Sequence, residues 1–200
     1  MKKLISPVFL LLILCFQQAP SQAQSQKEID FKKACDDILV SISKKQAAGL
    51  NSYINPSFGV YVLYRIGVPD EYQNLKNLDG NRPFSFESNI VSASDLKKYS
   101  LKYGKLPAYD CGEAIWKKRG YITDSTKSFK SISVIAGFHM KYDGVKVSRK
   151  NMNAIKFIEQ NSRKVIFTSS KADGVIFYLA YINGKWWLSI LDTVTTDCSA

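Results

Sequence analysis

The stretch KVIFTSSKADGVIFYLAYINGKWWLSIL, residues 164–191, decides the fold. Three runs rich in β-branched and aromatic residues, 164–169, 175–182 and 185–191, are separated by Ala172-Asp173-Gly174 and by Asn183-Gly184. Such runs favour strands because branched and ring side chains pack well on a pleated surface. Asn-Gly between apolar runs signals a hairpin, since both central residues of its favoured turn need positive φ. The stretch therefore predicts a three-stranded antiparallel meander. Strict alternation places Trp186, Leu188 and Ile190 on one face of the last strand, and Trp187, Ser189 and Leu191 on the other.

Working towards the N-terminus, 148–160 and 126–140 read as helices joined by a Tyr142-Asp143-Gly144 turn. The second of these also alternates like a strand at Ile132, Val134 and Ala136. Residues 81–126 carry the least pattern, with short strands expected at 82–87 and 116–122. Residues 70–78 read as a short helix opened by Asp70-Glu71, where negative charge suits the helix dipole. Val60 to Arg65 reads as a strand with Val60, Val62 and Tyr64 on one face and Tyr61, Leu63 and Arg65 on the other. The clearest helix begins at Ser25-Gln26-Lys27-Glu28, which has capping-box spacing. Ile29, Phe31, Ala34, Cys35, Ile38, Leu39 and Ile42 then recur as the apolar positions, and Gly49 is expected to end it in the left-handed region. The sum is an α+β fold: a long N-terminal helix packed on a curved antiparallel sheet that ends in the meander, with a helical insertion.

The Gly184-Lys185-Trp186-Trp187-Leu188 strand resembles the last strands of NTF2-like or SnoaL-like domains, and the fold as a whole resembles NTF2-like or cystatin-like folds. With the Asp197-Cys198-Ser199-Ala200 tail it is also similar to small exported bacterial proteins of unknown function. The NTF2-like resemblance implies a curved sheet wrapped on a long helix around a cone-shaped cavity, used by some relatives for catalysis and by many for binding. Fold likeness alone carries no activity across.

Met1-Lys2-Lys3, an apolar run over 4–16 and the small residues at Ser21 and Ala23 have the order of a secretory signal peptide. The expected organisation is thus a signal peptide over 1–23 and a single α+β domain over 24–200, with a periplasmic or extracellular address. The apolar run is short for a membrane span, and Leu14 before Cys15 disfavours a lipoprotein. No transmembrane segment is expected after cleavage. The 200-residue chain carries 28 Lys/Arg against 17 Asp/Glu, and residues 96–171 hold 17 of the former against 5 of the latter. That basic middle either keeps the surface solvated or attracts an anionic polymer or an envelope surface. Export sets nucleic acid aside as a partner.

Cys35, Cys111 and Cys198 follow the signal segment, so one bridge at most forms within the chain. Cys35 sits on the apolar helical stripe and reads as a core thiol. Three pairings are open; the favoured one is Cys111–Cys198, which staples a loose tail to an irregular loop. No Cys-x-x-Cys and no Cys/His cluster is present, so no metal site and no cofactor are expected.

Reactive chemistry is sparse. His139 is the only histidine and follows Phe129, Ile132 and Ala136 at helical spacing, which reads as a packed helix residue. Its enzymatic alternative is a Cys111/His139 nucleophile pair. Asp36 and Asp37 are helical neighbours that point about 100° apart, so they make no catalytic dyad. Asp192 ends the last strand, as a turn residue or at a cavity mouth. Tyr61, Arg65, Tyr178 and Trp187 are the candidate ligand-binding set, an aromatic pocket with one cation, against the plainer reading of sheet core plus a snorkelling arginine. No catalytic residue is assigned. The expected function is an exported, non-catalytic binding domain for a small molecule, glycan or protein partner. The alternatives are an NTF2-like hydrolase or isomerase, and an envelope-surface module holding an anionic polymer through its basic middle.

Overall fold

The computed structural model describes residues 19–79, 83–86, 91–124, 131–170 and 174–199, with side chains described from residue 25. Residues 1–18 of the signal peptide expected over 1–23, and the Ala172-Asp173 part of the first meander turn, lie outside them. Helix α1 spans Ala19–Ser43. It starts ahead of Ser25, so Ser25 does not cap it: Pro20 stands in the first turn, where its missing N–H costs nothing, and alanines and glutamines carry the helix onward. Phe31, Ala34, Cys35, Ile38, Leu39 and Ile42 form its buried stripe, whereas Ile29, two residues before Phe31 and so about 200° round the helix from it, is exposed.

The left-handed residue after α1 is Lys45, at φ 53°, and not Gly49. Gly49 lies inside a second short helix, α2 (Ala47–Asn51), folded back on α1. A Cβ there would stand 2.2 Å from the Ser41 hydroxyl oxygen, so the glycine serves close approach and not chain reversal.

Strands β1 (Val60–Arg65) and β2 (Asp70–Leu75) form an antiparallel hairpin with Arg65 opposite Asp70. The helix expected over 70–78 is therefore a strand. The hairpin offers this segment a full ladder along β1, and Arg65 draws Asp70 into an ion pair at 2.6 Å. Tertiary pairing outweighs the weak helical preference of a six-residue segment.

Helix α3 (Ala93–Lys98) is capped by Ser92, whose hydroxyl accepts from the Asp95 amide. Strands β3 (Leu101–Tyr103), β4 (Tyr109–Asp110), β5 (Ile115–Trp116) and β6 (Gly120–Thr123) follow. The strand expected over 116–122 is thus two strands in two sheets, with the chain turning at Gly120, φ 150°. Of the strand expected over 82–87, residues 83–86 are not strand and the remainder lies outside the described residues. The ambiguous segment is a helix, α4 (Ser131–Tyr142), and α5 (Arg149–Asn161) starts at a Ser148 cap. The meander forms as β7 (Ser162–Thr168), β8 (Gly174–Ile182) and β9 (Lys185–Asp192). Asn183 and Gly184 turn between the last two at φ 51° and 81°.

The fold is α+β, with helices on a mostly antiparallel seven-stranded sheet of order β2-β1-β9-β8-β7-β6-β3. Two pairings are parallel, β1 with β9 and β3 with β6; β4 and β5 form a separate two-stranded sheet. Alternation in β9 breaks at a bulge: Leu179 faces Leu188 while Tyr178 faces Ile190, so Ser189 is the extra residue. Beyond it the faces exchange. Leu191 joins Trp186 and Leu188 towards α1, whereas Ile190 joins Trp187 on the opposite side. The buried Ser189 hydroxyl donates to the Tyr178 carbonyl and meets that of Ser162, which keeps the unpaired position satisfied.

Helices cover both faces of this sheet. One core joins the α1 stripe to Val60, Val62, Val165, Phe167, Phe177 and Leu188. The other joins Ile132, Ile135 and Ala136 of α4 and Ile155 and Ile158 of α5 to Tyr61, Leu63, Ile176 and Ile190. Cys35 is fully buried in the first core and unpaired. Cys111 and Cys198 form the disulfide, with Cα atoms 5.5 Å apart, so the tail is stapled to the loop between β4 and β5.

Candidate functional site: a basic cleft beside the sheet edge

The parallel pairing of β3 with β6 aligns Leu101 with Tyr121 and Tyr103 with Thr123. Parallel strands start at the same end. The run into β3, Lys97-Lys98, is therefore set beside the run into β6, Lys118-Arg119, although twenty residues separate them in the chain. Two adjoining clefts open there, of about 290 Å³ and 510 Å³, and they share Lys98, Tyr99, Ser100 and Tyr121. Lys102, Lys118 and Arg119 line the first; Lys32, Asp36 and Lys97 line the second. None of these six cations lies within ion-pair distance of a described carboxylate.

The floor is built from α1 and β6. Tyr121, 3% exposed, donates its hydroxyl to Asp36 at 3.1 Å. Burial raises the pKa of both groups, opposed at Asp36 by that hydrogen bond and by nearby Lys32. Cys35 lies behind them, its thiol pushed well up by burial, so it stays protonated and inert. At the far wall Tyr103 donates to Glu28, which Arg163 grips with two bonds of 2.8 and 3.1 Å. The Arg163 hydrogen bond holds the Glu28 carboxyl below its ordinary value, and burial with Glu28 pushes the Tyr103 phenol up to about 12. The Arg163 guanidinium also lies 4.3 Å from the Phe31 ring centre. The walls are thus fixed by packed, bonded groups, while the rim is a set of ammonium and guanidinium heads with no ion-pair partner among the described residues, Lys98 lying over the Tyr99 ring. Chemically, the cleft can take an anion and lay a ring against Tyr99 or Tyr103.

The candidate set lies elsewhere. Tyr61 and Tyr178 are brought to either side of Ile190, both facing α4 and α5, and Tyr178 is 1% exposed. Trp187 packs on the same face but opposite Ala180, nearer the β8–β9 turn, and donates to the Ile182 carbonyl. Arg65 is turned to the tail: it bonds Asp70 twice through one carboxylate oxygen and donates to the Asp197 carbonyl at 2.7 Å.

His139 is packed in α4, as its spacing predicts. One ring nitrogen meets Asp143; the other meets the Asp70 carbonyl at 3.0 Å and Glu71 at 3.2 Å. The Asp143 hydrogen bond, aided by the Asp70 carbonyl and Glu71, raises its pKa against desolvation. With both nitrogens engaged, the imidazole ring is a strut between α4 and β2. The Cys111/His139 pair is overturned, because the Cys111 sulfur is in the disulfide. Asp36 and Asp37 diverge, the first to Tyr121 and the second to Lys33 and Tyr53. Asp192 caps the tail, accepting from the Val194 and Thr195 amides and from the Thr195 hydroxyl, and it also lines a shallow cleft with Asp70 and Val134. Among the described residues no three His, Cys, Asp or Glu side chains gather to hold a metal ion, and no helix is long and apolar enough to cross a membrane.

Sequence reading reached the basic excess of 96–171 but not the cleft. The signal was present in Lys97-Lys98 and Lys117-Lys118-Arg119. What joins them is a parallel pairing that no local pattern announces.

Comparison with protein-family models, with curated proteins and with solved structures returned no match to this chain.

Proposed function

We propose that this protein is an exported, non-catalytic binding domain whose ligand is an acidic polysaccharide held in the basic cleft beside β3. The observation that carries the reading is the convergence of Lys32, Lys97, Lys98, Lys102, Lys118 and Arg119 around Tyr99 and Tyr103, with no described carboxylate within ion-pair distance of them. Like charges gathered at one rim repel each other, and a polyanion relieves that repulsion while its sugar rings stack on Tyr99 and Tyr103. Export is supported by the order of residues 1–23 and by the disulfide, since such bonds persist in oxidising compartments. In this reading the scaffold is an elaborated NTF2-like sheet, supported by the long helix on a mostly antiparallel sheet and by the terminal meander. No reaction step is assigned: the one histidine is a strut and Cys111 is bridged.

The test is calorimetric titration of the disulfide-bonded chain with polygalacturonate and with neutral dextran. Polygalacturonate is expected to bind, more weakly as salt rises because exposed charge is screened over about 8 Å at physiological ionic strength. The triple variant Lys97→Glu, Lys98→Glu, Lys118→Glu should lose that binding while keeping its far-UV spectrum. Equal affinity for dextran, or an unaffected triple variant, overturns the proposal.

A further inference from the structure

Helix α4 buries one side and leaves another bare. Ile132, Ile135, Ala136 and His139 face the sheet. At 100° per residue, Val134, Phe138, Lys141 and Tyr142 lie on an arc centred about 120° from them. Val134 is 64% exposed, Phe138 42% and Tyr142 62%, and Val145 in the following turn is 49% exposed. The Phe138 and Tyr142 rings lie 4.8 Å apart, so the apolar surface is continuous along the helix. Contiguous apolar surface of this kind marks an interaction face, unlike singly scattered hydrophobic residues.

The charge around it identifies the occupant. The Lys141 ammonium stands 4.8 Å from the Tyr142 ring centre, and Lys146, Arg149 and Lys150, which follow the stripe in the chain, are exposed. The carboxylates near α4 are engaged: Asp143 and Glu71 meet His139, while Asp70 and Asp192, which share a shallow cleft with Val134, are bonded to Arg65 and to Thr195. A helix face of Phe, Tyr and Val flanked by lysines fits the boundary between acyl chains and anionic headgroups: the rings enter and the ammonium groups stay at the phosphate level. We infer that the α4 face docks the protein on an anionic lipid bilayer. This face is separate from the basic cleft, draws on different residues, and does not depend on the polysaccharide reading.

Co-sedimentation with vesicles tests it, using phosphatidylcholine alone and phosphatidylcholine mixed with phosphatidylglycerol. The full disulfide-bonded chain should bind the mixed vesicles and leave the neutral ones. Phe138→Ser and Tyr142→Ser should each weaken that binding roughly tenfold, as expected for losing one inserted ring. Because Val134 is more exposed still, Val134→Ser provides a variant whose fold is secure, with a smaller loss expected. The cleft triple variant should retain most of its vesicle binding. Absence of binding to the mixed vesicles overturns the inference. So does binding abolished by the cleft variant but indifferent to Phe138→Ser. A lipid-free dimer in sedimentation velocity that Phe138→Ser dissolves also overturns it, by assigning the face to a second copy.

Discussion

The two faces of the sheet are closed by different means. On the α1 side a single long helix supplies a full apolar stripe, and the polar contacts at its border come from Glu28, Arg163 and Tyr103. On the α4–α5 side two shorter helices share the task, and α4 is tied down by the His139 contacts to Asp143, Glu71 and the Asp70 carbonyl. One face rests on packing with a carboxylate–guanidinium clasp at its edge. The other adds a titratable imidazole to a smaller apolar contact. The difference predicts that the Glu28 clasp weakens in acid and the His139 contacts weaken in base.

The largest expected effects test whether both covers belong to one cooperative unit. Phe31→Ala on α1 should destabilise the protein by about 3–5 kcal/mol, and Ile132→Ala on α4 by about 2–5 kcal/mol, in urea unfolding. If Ile132→Ala leaves the midpoint unchanged, α4 is not part of that unit and the comparison breaks. Removing the bridge with Cys111→Ser and Cys198→Ser should cost roughly 2–5 kcal/mol, read as a lower Tm. Because the bridge ties the tail beside Arg65 and Asp192, amides at the β9 end should exchange faster than those of α1 in that variant. Gly184→Ala places a Cβ at φ 81° and should cost about 1–2 kcal/mol, spread over the sheet both helical layers share.

The smallest effects are the sharpest for the comparison. The His139 pKa is raised, so its contribution is complete below the ordinary value of about 6.5 and is lost as pH rises through the folded value. The Glu28 pKa is lowered, so its contribution is present above the ordinary carboxylate range and is lost as pH falls towards the folded value. Hydrogen exchange, corrected for intrinsic rates, should show α4 amides opening on the alkaline side and α1 amides on the acid side. His139→Gln should abolish the first trend and leave the second.

Much of this molecule was legible in its residues. The meander, β1 with its two faces, the α1 stripe, α5 and the core position of Cys35 all follow from periodicities of two or three to four, which local geometry enforces. Asp70–Leu75 was misread because its acidic opening suits a helix dipole, while only the presence of β1 beside it makes a strand the better use of its backbone. Ser189 was misread because alternation assumes no bulge. The basic cleft was visible as a charge excess and invisible as a place.

By itself, the sequence determined which segments are apolar, where the hairpin turns, and how much positive charge the middle of the chain carries. Those properties reside in side chains and in a few backbone angles. Which strands lie next to one another, which lysines share a rim and which helix covers which face were decided by tertiary structure. Such contacts join residues tens of positions apart, and their free energy exists only once the whole sheet is assembled.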